Sequence, residues 1–202
     1  MARLDRLVPR VNGFIHGAPH FVVEDALTDS AGDLCRQSGA WREQLDPVEL
    51  KAGEGVYDLE PPFGAEVAVL LKALQDGRSL QQSNTGALLG CSLSGMPTHI
   101  AMEGAQQIRV CPVPAGPGEI HIYAALAPAH AEVPDWLVSR YQDALIYGAV
   151  WRLMEQPGNT WSSVEASRYY RQRFDEEVAR AKREAITSFG APQQVRNQPF
   201  GG

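Results

Sequence analysis

The stretch from Val133 to Ile186, VPDWLVSRYQDALIYGAVWRLMEQPGNTWSSVEASRYYRQRFDEEVARAKREAI, predicts two long helices joined by a short connection. Pro134 and Asp135 are typical of a helix start, because proline fixes φ and a carboxylate is favoured at the positive end of the helix dipole. Apolar residues then recur at intervals of three and four in two stripes. Two stripes indicate a helix packed between two surfaces, and we expect it over about residues 134–156.

The second helix of the pair is expected over about residues 162–187. Pro157 has no amide proton and Gly158 tolerates a positive φ, so together they end the first helix. Ser162 and Glu165 fit the capping box that begins the next one. Because the connection is short, the two helices are predicted to form an antiparallel hairpin.

A third helix is expected over residues 20–38, with Gly39 placed to end it. Its apolar face repeats at intervals of three and four through Val23, Leu27, Ser30 and Leu34. Gly32 within it either permits a close helix crossing or weakens the prediction, because glycine costs about 1 kcal/mol relative to alanine in a helix. Residues 1–18 have no sustained period and are predicted to form an extended arm.

Strands are predicted between residues 45 and 127, where the apolar period shortens and Gly and Pro become frequent. Two short strands are expected around Ala52–Gly55, and Val67–Leu71 favours a buried strand followed by a turn at residues 75–78. The clearest predicted hairpin joins residues 108–111 to residues 120–126 through the proline-rich connection 112–118.

These patterns predict an α+β fold: an antiparallel bundle of about three long helices with an inserted small β-rich domain and extended terminal arms. The expected divisions are an N-terminal arm (1–18), the bundle (19–44 and 133–187), the inserted domain (45–132) and an extended C-terminal docking tail (188–202). The expected core includes Leu27, Leu34, Trp41, Leu137, Tyr141, Leu145, Trp151, Tyr170 and Phe174.

Composition restricts the classes of function. Acidic residues outnumber basic ones 24 to 18, which argues against general nucleic-acid binding because phosphate neutralisation requires an excess of Lys and Arg. No signal peptide and no apolar run long enough to cross a bilayer is expected. Three widely spaced cysteines fit a reducing compartment better than a disulfide framework, so we expect a soluble protein made inside a cell.

Searches for catalytic and metal motifs favour a structural role. His16 and His20 are four residues apart, but Gly17 and Pro19 prevent the helix that would align them as metal ligands. The stretch Gly90–Gly95 is similar to a serine nucleophile elbow, yet its fifth position is Ser94 instead of glycine. We therefore predict no catalytic residue, metal or cofactor, while a small hydrolase that uses Ser92 or Cys91 stays an open alternative.

An ordered set of short segments between about Pro19 and Ala185 resembles the head-to-tail adaptor proteins of tailed bacteriophages, especially those of short-tailed phages. The segments are Leu34-Cys35-Arg36-Gln37-Ser38 with Trp41-Arg42, residues 47–53, Tyr57-Asp58-Leu59 with Pro61-Pro62, Ser94-Gly95-Met96-Pro97, residues 108–114, Pro134-Asp135-Trp136-Leu137, Gly148-Ala149 with Leu153-Met154, and Pro157-Gly158 with Trp161, Tyr169 or Tyr170, and Phe174.

The resemblance implies a non-enzymatic virion protein of the neck, assembled in the host bacterial cytoplasm. Adaptors of this kind attach below the portal protein as a ring, commonly of twelve copies, and offer a platform to the tail tube or nozzle. Genomic DNA passes through such a ring without sequence-specific binding, and no membrane is involved. The alternative reading is a tail-tube or tail-completion protein lower in the neck.

Two sets of site residues follow from these expectations. The C-terminal residues Val195, Arg196 and Phe200 suit an extended segment that orders on the portal. A subunit in a closed ring needs two different complementary surfaces. The charged residues expected at the subunit interface are Arg171, Arg173, Glu177 and Arg180.

Overall fold

The computed structural model describes residues 1–104 and 106–190, which form an α+β fold. The helices are α1 (Val8–Val11), preceded by a 3₁₀ helix over Leu4–Leu7, α2 (His20–Ser38), α3 (Thr85–Leu88), α4 (Asp135–Arg140), α5 (Gln142–Glu155) and α6 (Val164–Gly190). The strands are β1 (Ala2–Arg3), β2 (Arg42–Gln44), β3 (Val48–Leu50), β4 (Val56–Asp58), β5 (Ala65–Gln75), β6 (Arg78–Ser79), β7 (Gln81–Gln82), β8 (Ser94–Gly95), β9 (His99–Met102), β10 (Gln107–Cys111), β11 (Val113–Pro114), β12 (Gly118–Pro128) and β13 (Glu132–Val133).

The largest sheet is antiparallel and has the strand order β2-β12-β5-β6, with β3 paired to the first residues of β12. The long strands β5 and β12 run beside each other, with two register shifts. Burial alternates along the first half of β12, and then every residue from Ala124 to Pro128 is buried. Such a strand is covered on both faces in its second half.

The remaining strands form three smaller sheets within the described residues. One has the order β4-β10-β9-β7, in which β10 is antiparallel to both β4 and β9 while β7 is parallel to β9. The other two are pairs, antiparallel β1 with β13 and parallel β8 with β11.

The helical layer covers the large sheet through α2, which packs on both β12 and α5, while α6 packs mainly on α5. The closest approach is at Gly148 of α5. A Cβ atom built there would lie 1.9 Å from Ser30 Oγ and 2.9 Å from a ring carbon of Phe174. A residue without a side chain is therefore required where α2, α5 and α6 meet.

The predicted bundle of three long helices with a small inserted β-rich domain is wrong. Strands make up 28% of the structure, and the 11-residue strands β5 and β12 pack directly beneath α2. One cluster of buried hydrophobic residues includes side chains from both the helices and the sheets. The sheets are thus part of the main core and not an appendage, while the predicted domain boundaries stay a prediction.

The prediction of an extended N-terminal arm in that fold is also wrong. Residues 2–11 form β1, the 3₁₀ helix and α1, and their apolar side chains are buried. The buried residues are Leu4, Leu7, Val8, Val11 and, just after α1, Ile15. The sequence pattern did not predict these elements, because segments of two to four residues are too short to show a sustained period.

The helix predictions have mixed outcomes. Helix α2 begins at His20 and ends at Ser38, with Gly39 at φ 60° as its C-cap, as expected. The helix predicted over residues 134–156 is divided at Tyr141 into α4 and α5. The capping residue of α6 is Ser163 and not Ser162, since the Ala166 amide donates to Ser163 Oγ at 3.3 Å.

The predicted hairpin between residues 108–111 and 120–126 is wrong, although both segments are strands. Strand β10 pairs with β4 and β9, whereas β12 pairs with β2, β3 and β5 in another sheet. The turn predicted at residues 75–78 does join β5 to β6, with Asp76 at φ 48° and Gly77 at φ 75°. Of the predicted core residues, Trp151 and Tyr170 are half-buried and the others are buried.

Candidate interaction surfaces

Helix α6 has one buried stripe and a broad charged face. Phe174, Val178, Ala181 and Ala185 are buried at intervals of three and four, which is the period that places them on one side of a helix. The remaining positions are mostly charged and exposed. The exposed face of α6 is therefore a candidate surface for contact with another protein.

Three of the predicted interface residues form contacts within α6 itself. Arg173 Nη1 lies 2.7 Å from Glu176 Oε2, and Arg180 pairs with Glu177. Both pairs are three residues apart and partly solvated, so each contributes little to stability. The structure thus brings Glu177 and Arg180 together, and both side chains remain partly exposed to solvent.

Arg171, the fourth predicted interface residue, stacks against an aromatic ring of α5. Its guanidinium carbon lies 5.2 Å from the centroid of Trp151, and that of Arg152 lies 4.5 Å from the same ring. Cation–π contacts of this kind are favourable by about 0.5–1 kcal/mol at exposed sites. Arg171 is consequently held against its own subunit while it remains exposed.

A different pair of cations on α6 has no such contact. Lys182 and Arg183 are exposed, and neither forms an ion pair with the other described residues. They lie within one turn of Ala185, whose carbonyl oxygen accepts a hydrogen bond of 2.8 Å from Arg42 Nη1. We call Lys182 and Arg183 the cationic end of α6.

Next to the cationic end, Glu184 ties α6 to the break between α4 and α5. Its carboxylate accepts hydrogen bonds from Arg140 Nε and from the Tyr141 hydroxyl, each at 3.0 Å. Burial raises the pKa of Glu184, but the hydrogen bonds from Arg140 and Tyr141 outweigh it and the net pKa is lowered. Burial, with the nearby Glu184, raises the pKa of Tyr141.

A groove of about 440 Å³ with acidic walls lies beside β3 and β4. Its carboxylates are Asp46, Glu49, Asp58 and Glu60, and we call it the acidic groove. This surface was not predicted from the sequence. The signal was the acidic composition of residues 43–60, which hold six carboxylates and one lysine.

Aromatic side chains form a third surface where the N-terminal segment meets α5 and α6. The ring centroid of Tyr170 lies 5.6 Å from that of Phe14, 5.8 Å from that of Tyr147 and 5.1 Å from that of Tyr169. Phe14 and Tyr169 are exposed. The cluster joins the N-terminal segment to both helices.

A scan against protein-family models matches the SU10 adaptor protein family over residues 2–196. The chain belongs to this family. A search of curated proteins finds no match. Family membership confirms the resemblance to phage head-to-tail adaptors. It indicates a structural role at the head–tail connection, in the neck of the virion. The general classes of partner for such an adaptor are portal and tail proteins.

The short-tailed phage type stays a prediction for this adaptor. So does the portal-docking role of Val195, Arg196 and Phe200, because these residues lie outside the described residues. Across residues 1–104 and 106–190, no helix combines the length and hydropathy that a membrane span requires. In the same part of the adaptor, no group of three or more His, Cys, Asp or Glu side chains is arranged to hold a metal ion.

The cysteine prediction needs correction in the adaptor. Cys91 and Cys111 form a disulfide that joins the segment after α3 to the end of β10, so the Cys91 sulfur is not a thiol in this structure. Their spacing of 20 residues gave no motif, because the loop that carries Cys91 and the strand end that carries Cys111 are brought together only by the tertiary fold. Cys35 is buried, and desolvation raises the pKa of its thiol to about 12.

Proposed function

We propose that this adaptor assembles as a ring, of about twelve copies, that attaches to the portal vertex and joins the DNA-filled head to the tail. The observation that supports this function is the family match over residues 2–196, which covers the helices and sheets together. The ring continues the DNA channel, and DNA passes through it without sequence-specific binding. Assembly takes place in the cytoplasm of the host bacterium.

The exposed face of α6 is proposed as one side of the subunit contact. Arg171, Arg173, Glu177 and Arg180 present both signs of charge on a rigid helix, with Arg171 and Arg173 also stacked on aromatic rings. Arginine beside aromatic side chains is a composition enriched at protein interfaces. The pairs within α6 keep these side chains ordered before a neighbour arrives.

The predicted docking tail, residues 188–202, is proposed as the segment that binds the portal. Val195 and Phe200 are its proposed apolar anchors, and Arg196 is its proposed charged anchor. Phe200 is the largest apolar residue among them, and anchors of this size dominate the affinity of extended peptides. The tail tube or nozzle is proposed to bind the opposite side of the ring.

The test is a pull-down combined with electron microscopy, using the portal ring from the same genome. The full-length adaptor is compared with a chain ending at Ser188 and with a full-length V195D/F200A variant. We expect only the wild-type chain to decorate the portal ring. Equal binding by all three chains would show that the C-terminal docking tail does not contact the portal. No binding by any of them would contradict the proposed attachment to the portal.

Particles that lack tails provide the second readout. A labelled adaptor stays on tailless heads, whereas a tail-tube or tail-completion protein is missing from them. Recovery of the label only in separate tail structures would contradict attachment to the portal vertex.

A further inference from the structure

We infer that the cationic end of α6 in one subunit docks on the acidic groove of the adjacent copy, an inference that rests on the proposed ring. The occupant of the groove is thus a second copy of this chain. The contact is heterologous, since the two surfaces are made of different residues, and contacts of that type generate closed rings when the rotation between subunits closes.

The cationic end is a part of α6 where two adjacent cations have no carboxylate partner among the described residues. Arg173 and Arg180 have carboxylate partners on α6, and Arg171 is stacked on Trp151. Lys182 and Arg183 are exposed and have no ion-pair partner in the structure as described. Their charge is available to a neighbouring protein.

The acidic groove carries the opposite charge and a suitable shape. Asp46, Glu49 and Glu60 are exposed and are not ion-paired with other described residues, and Lys51 is the one cation among the residues that line the groove. Apolar walls are also present, from Pro47, Val48 and Tyr57. Long cationic side chains fit such a site, because their methylene stems pack on apolar surface while the charged group reaches a carboxylate.

The register of β3 and β12 adds a second observation, which is that two carboxylates face each other beside the groove. Glu49 lies directly opposite Glu119 in this antiparallel pair, and both side chains are exposed. Like charges directly opposite each other on one face destabilise a sheet. A cation delivered by a neighbour relieves this repulsion, so the pair favours assembly over the isolated subunit.

Within one subunit, the cationic end of α6 and Glu49 of the groove lie near different ends of β12. Arg42 contacts Ala185 of α6 and pairs with Ala125, whereas Glu49 pairs with Glu119 at the other end of β12. Six residues of strand separate Ala125 from Glu119, a distance of about 20 Å. This exceeds the screening length of about 8 Å at physiological salt, so the charges near these two ends interact little within one subunit.

The experiment uses two full-length variants that are each expected to fail alone. One reverses the cationic end (K182E/R183E) and the other reverses the groove (E49K/E60K). Assembly on the portal ring is measured for each by sedimentation and electron microscopy. We expect ring formation to fall by about tenfold or more in either variant, because like charges then face each other at every subunit contact.

An equimolar mixture of the two variants is expected to recover rings to within about threefold of wild type. In an alternating ring, a reversed groove meets a reversed α6 and a native groove meets a native α6, so every contact is complementary. Mass spectrometry of the recovered rings should show equal amounts of the two chains. Matched controls reverse exposed charges elsewhere, R10E/R78E for the cations and D25K/D29K for the acids, and should assemble alone.

Folding is checked separately by thermal unfolding. A lysine at position 49 faces Glu119, so the E49K/E60K variant should unfold at the same temperature as wild type or higher, even though its assembly is impaired. If wild type forms rings but the reversed variants also do, or if the folded variants fail to complement each other, the docking inference is overturned while the ring stands. If wild type forms no ring on the portal, the proposed function itself fails.

Discussion

Gly148 and Gly32 show how the same residue type has different roles in two helices. At Gly148, a Cβ atom would approach both Ser30 and the ring of Phe174 to less than 3 Å, and neither group is the end of a long flexible chain. At Gly32, the nearest atom is Nη1 of Arg36 at 2.9 Å, which is the end of such a chain. The close helix crossing considered for Gly32 is therefore made by Gly148 instead.

We predict opposite effects of alanine at these two positions. Gly148→Ala should destabilise the protein by about 1–3 kcal/mol, because the helices must separate to admit a methyl group. Gly32→Ala should stabilise it by up to about 1 kcal/mol, because alanine loses less backbone freedom in a helix. Urea unfolding followed by circular dichroism measures both free energies, and equal effects at the two sites would refute this view of the helix crossing.

At the scale of elements, the break at Tyr141 positions a hydrogen-bonded link between α4–α5 and α6. At this break, Arg140 and Tyr141 both donate hydrogen bonds to Glu184. The break therefore connects the α4–α5 segment to α6. The lowered pKa of Glu184 means that its ionised form is favoured by the fold. The link should therefore weaken in acid.

We predict that Glu184→Gln lowers stability at pH 7 and that the difference from wild type disappears in acid. A carboxyl group with a lowered folded pKa stabilises the fold at pH values above its unfolded pKa, ordinarily 4.5, and this stabilisation is lost as the pH falls through the folded pKa. Unfolding free energies measured at pH 7 and well below pH 4.5 test this. A Glu184→Gln variant whose loss of stability is the same at both pH values would contradict this role of the carboxylate.

Element prediction from the sequence succeeded where the determining contacts are local. Helix α2 was located to the residue because its period, its length and the glycine at its C-cap all lie within 20 residues. The pairing of β10 with β12 failed because alternation identifies a strand but not its partner. The partner of β12 is β5, about 50 residues earlier in the chain, and that choice is made by packing against α2.

At the scale of the whole molecule, the N-terminal segment is part of the core. Leu4, Leu7, Val8, Val11 and Ile15 are each at most 3% exposed. Burial of such side chains contributes about 1.5–3 kcal/mol each, so their sum is comparable with the whole stability of a typical domain, about 5–15 kcal/mol.

Deletion of residues 1–15 is accordingly expected to prevent folding, which an extended arm would not do. Circular dichroism and thermal unfolding of the truncated protein measure this. Two single substitutions test whether burial is the cause. Val11→Ala, at a buried position, should lower the unfolding temperature, whereas Arg10→Ala, at the exposed position beside it, should not. A truncated chain that unfolds cooperatively at the wild-type temperature would contradict this role.

Some features of the candidate surfaces could be predicted from neighbouring residues in the sequence, and others depend on the tertiary structure. The charged face of α6 was predictable, since charges on an amphipathic helix occupy the side opposite its apolar stripe. The sequence did not indicate that Arg173, Glu177 and Arg180 pair within α6 while Lys182 and Arg183 have no carboxylate partner in the structure as described. The acidic composition of residues 43–60 was visible in the sequence, whereas the groove forms only where β3 and β4 lie beside each other in the folded chain.

By itself, the sequence determined the positions of its long helices, most of its large core side chains and the resemblance to phage adaptors, because each depends on residues close together in the chain or on their order along it. Tertiary structure alone decided that the sheets share one core with the helices, that Cys91 bonds to Cys111, and which charges remain without partners. Those outcomes depend on contacts between residues distant in sequence, and the free energy that selects them comes from packing the whole chain at once.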